Sequence, residues 1–147
     1  MALQNYTLHK CPISQALGIL GGQWTLLIAR DLMNGVNKFD KLQRSLKISR
    51  NLLTQRLRQM EEDGLAKKVV PDGLKRAIYL PTKKCIDLTN ILLAFSEWSE
   101  KWMPDPEGPR VKVCDCENGE ELKLALLPEN EAKAASKNNF NVTYLFD

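Results

Sequence analysis

The sequence predicts a mostly helical α+β fold, and three observations predict it. Apolar residues recur at helical spacing in several segments of the first hundred residues. Only short β-prone runs interrupt them, each pair set around a turn-forming Gly. Asn, Asp, Gly and Pro punctuate the segments where helices must stop. At 147 residues with 44% hydrophobic and 27% charged positions, the chain has enough apolar content for a real core.

Taken in order, Pro12 suits the first position of a short helix whose apolar side is Ala16, Leu17, Ile19 and Leu20, and Gly21-Gly22 breaks it. A stronger helix is expected over 23–33. Trp24, Leu27, Ile28 and Leu32 repeat there at i, i+3, i+4 and i+8, and Asn34-Gly35 closes it. Asp40 is placed to cap a third helix with Leu42 and Leu46 inward, and Lys47-Ile48 makes a tight turn. Ser49 then caps a helix to about Glu62, with Leu53, Leu57 and Met60 as its apolar stripe, and Asp63-Gly64 stops it. The β runs 65–70 and 77–80 flank the turn Pro71-Asp72-Gly73. A long helix is expected from the Thr82 cap to about Trp102. Pro104, Pro106 and Pro109 make a stiff linker, and a hairpin is expected around Asn118-Gly119, between 111–117 and 120–127. Residues 128–139 read as loop or frayed helix, and 141–146 as a last strand. The domains expected are 1–103 and a Pro-rich linker with a β-rich extension, 104–147.

Charge is unevenly spread. Residues 1–103 carry 16 Lys/Arg against 9 Asp/Glu, residues 38–84 carry 13 against 5, and residues 104–147 carry 5 against 9. A basic middle with an acidic tail is the asymmetry expected of a chain whose middle meets a polyanion. Helix, short helix, tight turn, helix, β-hairpin is the order of a winged helix-turn-helix, whose second helix must bury one face and offer the other to a groove. Opposite the leucine stripe stand Ser49, Arg50, Asn51, Thr54, Gln55 and Arg58. Arg suits guanine, Asn or Gln adenine, and Thr a thymine methyl. Lys38, Lys41 and Arg44 before them, and Lys75 and Arg76 past the hairpin tip, suit backbone phosphates. The plain alternative is a solvated polar face. A winged-helix module that binds only protein is a further alternative, and it calls for a neutral or acidic face.

Two half-sites on duplex DNA lie about 34 Å apart, so a dimer is required to read both. Ile91, Phe95, Trp98 and Trp102 are the expected interface, against the alternative that they close the domain's own core. Cys11 stands at a helix N-cap position, where a thiol becomes more acidic and more reactive; the alternative is simple packing. Cys114 and Cys116 put two thiols on one strand face, which does not make a zinc site, and Cys85 reads as packing. We expect no metal, no cofactor and no catalytic residue: His9 is the one histidine, and no nucleophile-elbow, phosphate-loop or dinucleotide motif occurs. With scattered cysteines, no apolar run long enough for a bilayer and no secretory pattern at the start, the expectation is a reducing cytoplasm and no membrane partner.

The stretch Gly21-Gly22-Gln23-Trp24-Thr25-Leu26-Leu27-Ile28 resembles the GGKWTLLIL core of the HxlR-type winged-helix regulators, of the MarR-like group. So do Phe39-Asp40-Lys41-Leu42, Leu53-Thr54-Gln55-Arg56-Leu57-Arg58, Glu62-Asp63-Gly64-Leu65 and Cys11-Pro12-Ile13. Together they cover about residues 9–103. One departure is Pro81-Thr82-Lys83-Lys84, where the family has Leu-Thr, an acidic residue and Gly, so the capping there differs slightly. The resemblance implies a homodimeric transcriptional regulator that binds double-stranded DNA. It also implies that a cysteine at the Cys11 position senses electrophiles or oxidants in some members. A small-molecule effector acting through the dimer interface or the C-terminal extension is the other route of control.

Overall fold

The computed structural model describes residues 10–135 and 139–145; His9 and Phe146 lie outside them. The elements in chain order are α1 (Pro12–Leu20), α2 (Thr25–Met33), α3 (Phe39–Leu46), α4 (Arg50–Glu62), β1 (Ala66–Val69), β2 (Ile78–Pro81), α5 (Lys83–Ile86), α6 (Thr89–Trp102), β3 (Val111–Asp115), α7 (Glu129–Ala135) and β4 (Phe140–Tyr144). β1 and β2 form an antiparallel hairpin in the register Ala66 to Pro81 and Val69 to Ile78. This is a winged helix-turn-helix: α3 and α4 are the helix pair and β1-β2 the wing.

The first compact unit ends at Thr89. Its core is Ile28, Ala29 and Leu32 of α2, Leu42 and Leu46 of α3, and Leu53, Leu57 and Met60 of α4. Ile48, Leu65, Ala66, Tyr79, Cys85 and Leu88 complete it. The expected stripes of α3 and α4 are therefore the buried ones. In α2 the stripe shifts: Leu27 is exposed, while Thr25 and Asp31 are buried. The helix also starts two residues later than expected, because Thr25 N–H bonds the Gly22 carbonyl in a turn. The Gly-Gly pair has a steric reason. A Cβ on Gly21 would lie 2.5 Å from the Leu17 carbonyl oxygen, and one on Gly22 would lie 2.9 Å from Thr25 Oγ1 and 3.1 Å from an Arg56 guanidinium nitrogen.

The turn into α4 is set locally. Lys47 takes a left-handed φ of 52°, and Ser49 Oγ accepts the N–H of Leu52 as the N-cap. Gly64, at φ 73°, ends the helix.

Two expectations are corrected. The helix over 82–102 is not continuous. Thr82 caps α5 by accepting the Cys85 N–H, but the helix stops after Ile86. Leu88 N–H then bonds the Cys85 carbonyl and the Thr89 hydroxyl donates to the Ile86 carbonyl, 2.6 Å away. The i→i−3 bond at Leu88 tightens the turn there, and α6 starts anew at Thr89. The hairpin around Asn118-Gly119 is corrected as well. The hairpin forms but is short: Gly119 turns at φ 74°, Asp115 N–H bonds the Glu120 carbonyl and Leu122 N–H the Val113 carbonyl, around the one bridge Cys114 to Glu121. The ladder partner of β3 is β4, from Val111–Tyr144 to Asp115–Phe140. The returning segment then leaves the ladder, and Leu124 N–H is taken by the Glu97 carboxylate at 2.9 Å.

The second unit begins at Asn90 and so contains nearly all of α6, which the sequence groups with the first domain. Within it Glu100 accepts the Val111 N–H, and Arg110 bridges Asp105 and Glu107 across the proline linker. No helix among the described residues is long and apolar enough to cross a membrane.

Candidate nucleic-acid interface

Burying Leu53, Leu57 and Met60 forces the other side of α4 outward, since residues three to four apart share a face. Ser49, Arg50, Asn51, Thr54, Gln55 and Arg58 stand on that outer side, and the chain is open to solvent along it. Lys38, Lys41 and Arg44, on and before α3, and Lys75 and Arg76, beside the wing tip, extend the cationic surface. The fold brings most of these cations to one place. A groove of about 960 Å³ runs between α3, the start of α4 and the wing, and its walls hold Lys38, Lys41, Arg44, Arg50, Lys75 and Arg76. Asp40 is the one acid among the described residues lining it. Asn51, Thr54, Gln55 and Arg58 lie outside the groove walls, further along the open face of α4.

Asp40 has a different role from the expected cap. The cap position of α3 belongs to Lys38, which makes no side-chain cap bond. Asp40, inside the first turn, accepts from Arg50 at 3.3 Å and from Arg76 at 3.2 Å. One carboxylate therefore ties the start of α4 to the wing. Arg50 also stacks over Phe39, 5.1 Å from the ring centre. Neither relation is visible as a sequence motif, because the carboxylate and its two arginines lie 10 and 36 residues apart. Further along α4, Arg58 Nε pairs with Glu62 at 3.2 Å, and the Thr54 hydroxyl donates back to the Arg50 carbonyl. That bond uses the hydroxyl's one proton, so Thr54 keeps its methyl and its acceptor lone pairs for any further contact.

Cys11 occupies the N-cap position of α1 and is exposed. The amides of Ser14 and then Ile13 favour its thiolate and hold the thiol below its ordinary range. Cys85 is the opposite case: burial pushes its thiol up to about 11. Cys114 and Cys116 are free, and among the described residues no group of three or more His, Cys, Asp or Glu is placed to hold a metal ion. In α6, Phe95, Trp98 and Trp102 are 58%, 60% and 64% exposed, and Ile91 is exposed beside them. They do not close the core of the unit that carries them.

Comparison with known proteins fits this geometry. The HxlR-like helix-turn-helix family profile matches residues 19–107, and the chain belongs to that family. It is 36% identical over 102 residues to the uncharacterized HTH-type transcriptional regulator Rv3095 of Mycobacterium tuberculosis; the match spans 69% of this chain and 65% of that protein, just under two thirds of its length. YvaP of Bacillus subtilis, also an uncharacterized HTH-type transcriptional regulator, is 34% identical over 67% of this chain and 93% of its own length. Among solved structures, PA1607, a putative transcription factor by its own description, superposes with a TM-score of 0.77 at 27% identity, over 86% of this chain and 89% of that one. Quinone-bound YodB from B. subtilis superposes with a TM-score of 0.55 at 26% identity, over 63% of this chain and 99% of that one.

Proposed function

We propose that the protein is a sequence-specific transcriptional regulator that binds double-stranded DNA as a homodimer, with residues 1–103 as its DNA-binding and dimerisation region and 104–147 as an extension. The observation that carries this reading is the cationic groove beside an open, acid-poor helix face. In it Lys38, Lys41, Arg44, Lys75 and Arg76 hold phosphates, while Arg50, Asn51, Thr54, Gln55 and Arg58 meet base edges and Ser49 fixes the entering end of α4. A protein-interaction module has no need of so one-signed a surface.

Salt dependence tests it directly. Deleting one phosphate-binding cation lowers the slope of log affinity against log salt by about one. The double variant Lys75→Ala, Arg76→Ala is expected to bind a duplex with a slope shallower by about two. A slope equal to that of the parent protein removes the wing from the interface.

The exposed aromatic face supports the dimer. Ile91, Phe95, Trp98 and Trp102 gain by being covered by the same face of a second copy, a twofold arrangement. A Phe95→Glu, Trp98→Glu variant is expected to sediment as a monomer where the parent sediments as a dimer. A dimer that survives both charges places the interface elsewhere.

Cys11 is the proposed sensor of electrophiles or oxidants. Its thiolate-favouring position supports this, and the similar protein YodB has been solved with quinone bound. Diamide is expected to lower DNA affinity of the parent protein and to leave the Cys11→Ser variant unaffected. Equal weakening in both would end the sensor role.

A further inference from the structure

The second unit contains a cavity of about 120 Å³ between α6, β3 and the segment that follows the Asn118-Gly119 turn. Its apolar wall includes Leu93, Val111, Val113, Leu122 and Phe140. Its polar lining is not neutral. Glu97 and Glu100 stand one helical turn apart on α6, and Lys123 joins them from the returning chain.

The bonding state of these groups decides what the cavity prefers. Each glutamate commits one oxygen to the backbone, Glu97 to Leu124 N–H and Glu100 to Val111 N–H. Those bonds fix both carboxylates in place and leave each a second oxygen for a further donor. The Lys123 ammonium pairs with Glu121 at 3.0 Å, so one cation stands against three carboxylates. Glu121 first, then Glu100 and Glu97, raise the Lys123 pKa, which marks the region as negative. A small apolar chamber with two pre-positioned, half-used carboxylates is complementary to a compact body carrying one cationic donor. The size is near that of an engineered cavity of roughly 150 Å³ that takes up benzene, so the body is about one ring.

We propose that this cavity is a binding site for a small primary amine with a single-ring or similarly compact apolar body, its ammonium held by Glu97 and Glu100. This goes beyond DNA recognition; it gives the effector role of the C-terminal extension a place and a ligand class, and only its regulatory meaning rests on that role.

The test is a titration of the full chain with benzylamine, without DNA, followed by the amide resonances of Val111 and Leu124. Both are expected to shift saturably. Benzyl alcohol and benzoate, which keep the ring and remove the cation, are expected to bind at least roughly tenfold more weakly. Glu97→Gln and Glu100→Gln keep the oxygen that the backbone N–H groups need, so the fold is retained, and each is expected to weaken benzylamine by at least about tenfold. Val113→Phe fills the chamber and is expected to abolish the shifts, with the circular dichroism of the parent. Absence of saturable shifts in the parent protein overturns the proposal. So does benzyl alcohol or benzoate binding as well as the amine, or a folded Val113→Phe that binds normally. Because no DNA is present, any of these results removes the amine site and leaves the nucleic-acid interface standing.

Discussion

Arg58→Ala is expected to lower affinity for selected genomic fragments roughly 5- to 150-fold while lowering affinity for random duplex far less, the mark of a residue that reads a base. The side chain is 81% exposed, and it pairs with Glu62 at the next helical turn. Such an exposed pair contributes only about 0.3–0.5 kcal/mol, so folding is nearly untouched and the effect falls on recognition. Competition binding at fixed salt, with selected and random duplexes side by side, measures both numbers. A uniform drop across sequences assigns Arg58 to a phosphate instead.

Leu53→Ala is the opposite experiment, on the other face of the same helix. Leu53 is fully buried, in one stripe with Leu57 and Met60. Truncating a core leucine costs roughly 2–5 kcal/mol, from reduced burial and the cavity left behind. Urea unfolding followed by circular dichroism is expected to show that decrease. At saturating folded protein, the salt slope of DNA binding is expected to stay at the parent value, because no cation has been removed. A Leu53→Ala protein as stable as the parent means that α4 is not anchored by its leucines. The orientation of its outer face then has no physical basis.

The parts legible in the sequence are those fixed within a few residues. The Ser49 cap, the left-handed Lys47 and the glycine stop at Gly64 follow from local backbone chemistry. The stripes of α3 and α4 follow from spacing. The illegible parts depend on distant partners or on a side chain's choice among several. The apolar pattern continues through the tightened turn at Leu88 that separates α5 from α6, and gives no sign of it. Asn118-Gly119 marks a turn correctly, but nothing near it announces that β4 pairs along the other edge of β3, or that Glu97, 27 residues from Leu124, takes the Leu124 N–H. The exposed side of the site could be named from residue types. Its assembly into a groove could not, since it needs the wing folded back beside α3.

The Asp40 carboxylate sits between two arginines that the wing and the helix bring from different parts of the chain. Those guanidinium groups are thus parked at a defined separation rather than waving freely. On the proposed reading, a phosphate held by Arg76 displaces a weak tenant, worth at most about 1 kcal/mol at such an exposed spot. In return Arg76 and the base-facing Arg50 enter the complex already spaced, so less rotational freedom is surrendered on docking. On that reading the internal acid is a rehearsal partner, trading a small tax on every encounter for a sharper grip on the encounters whose shape matches.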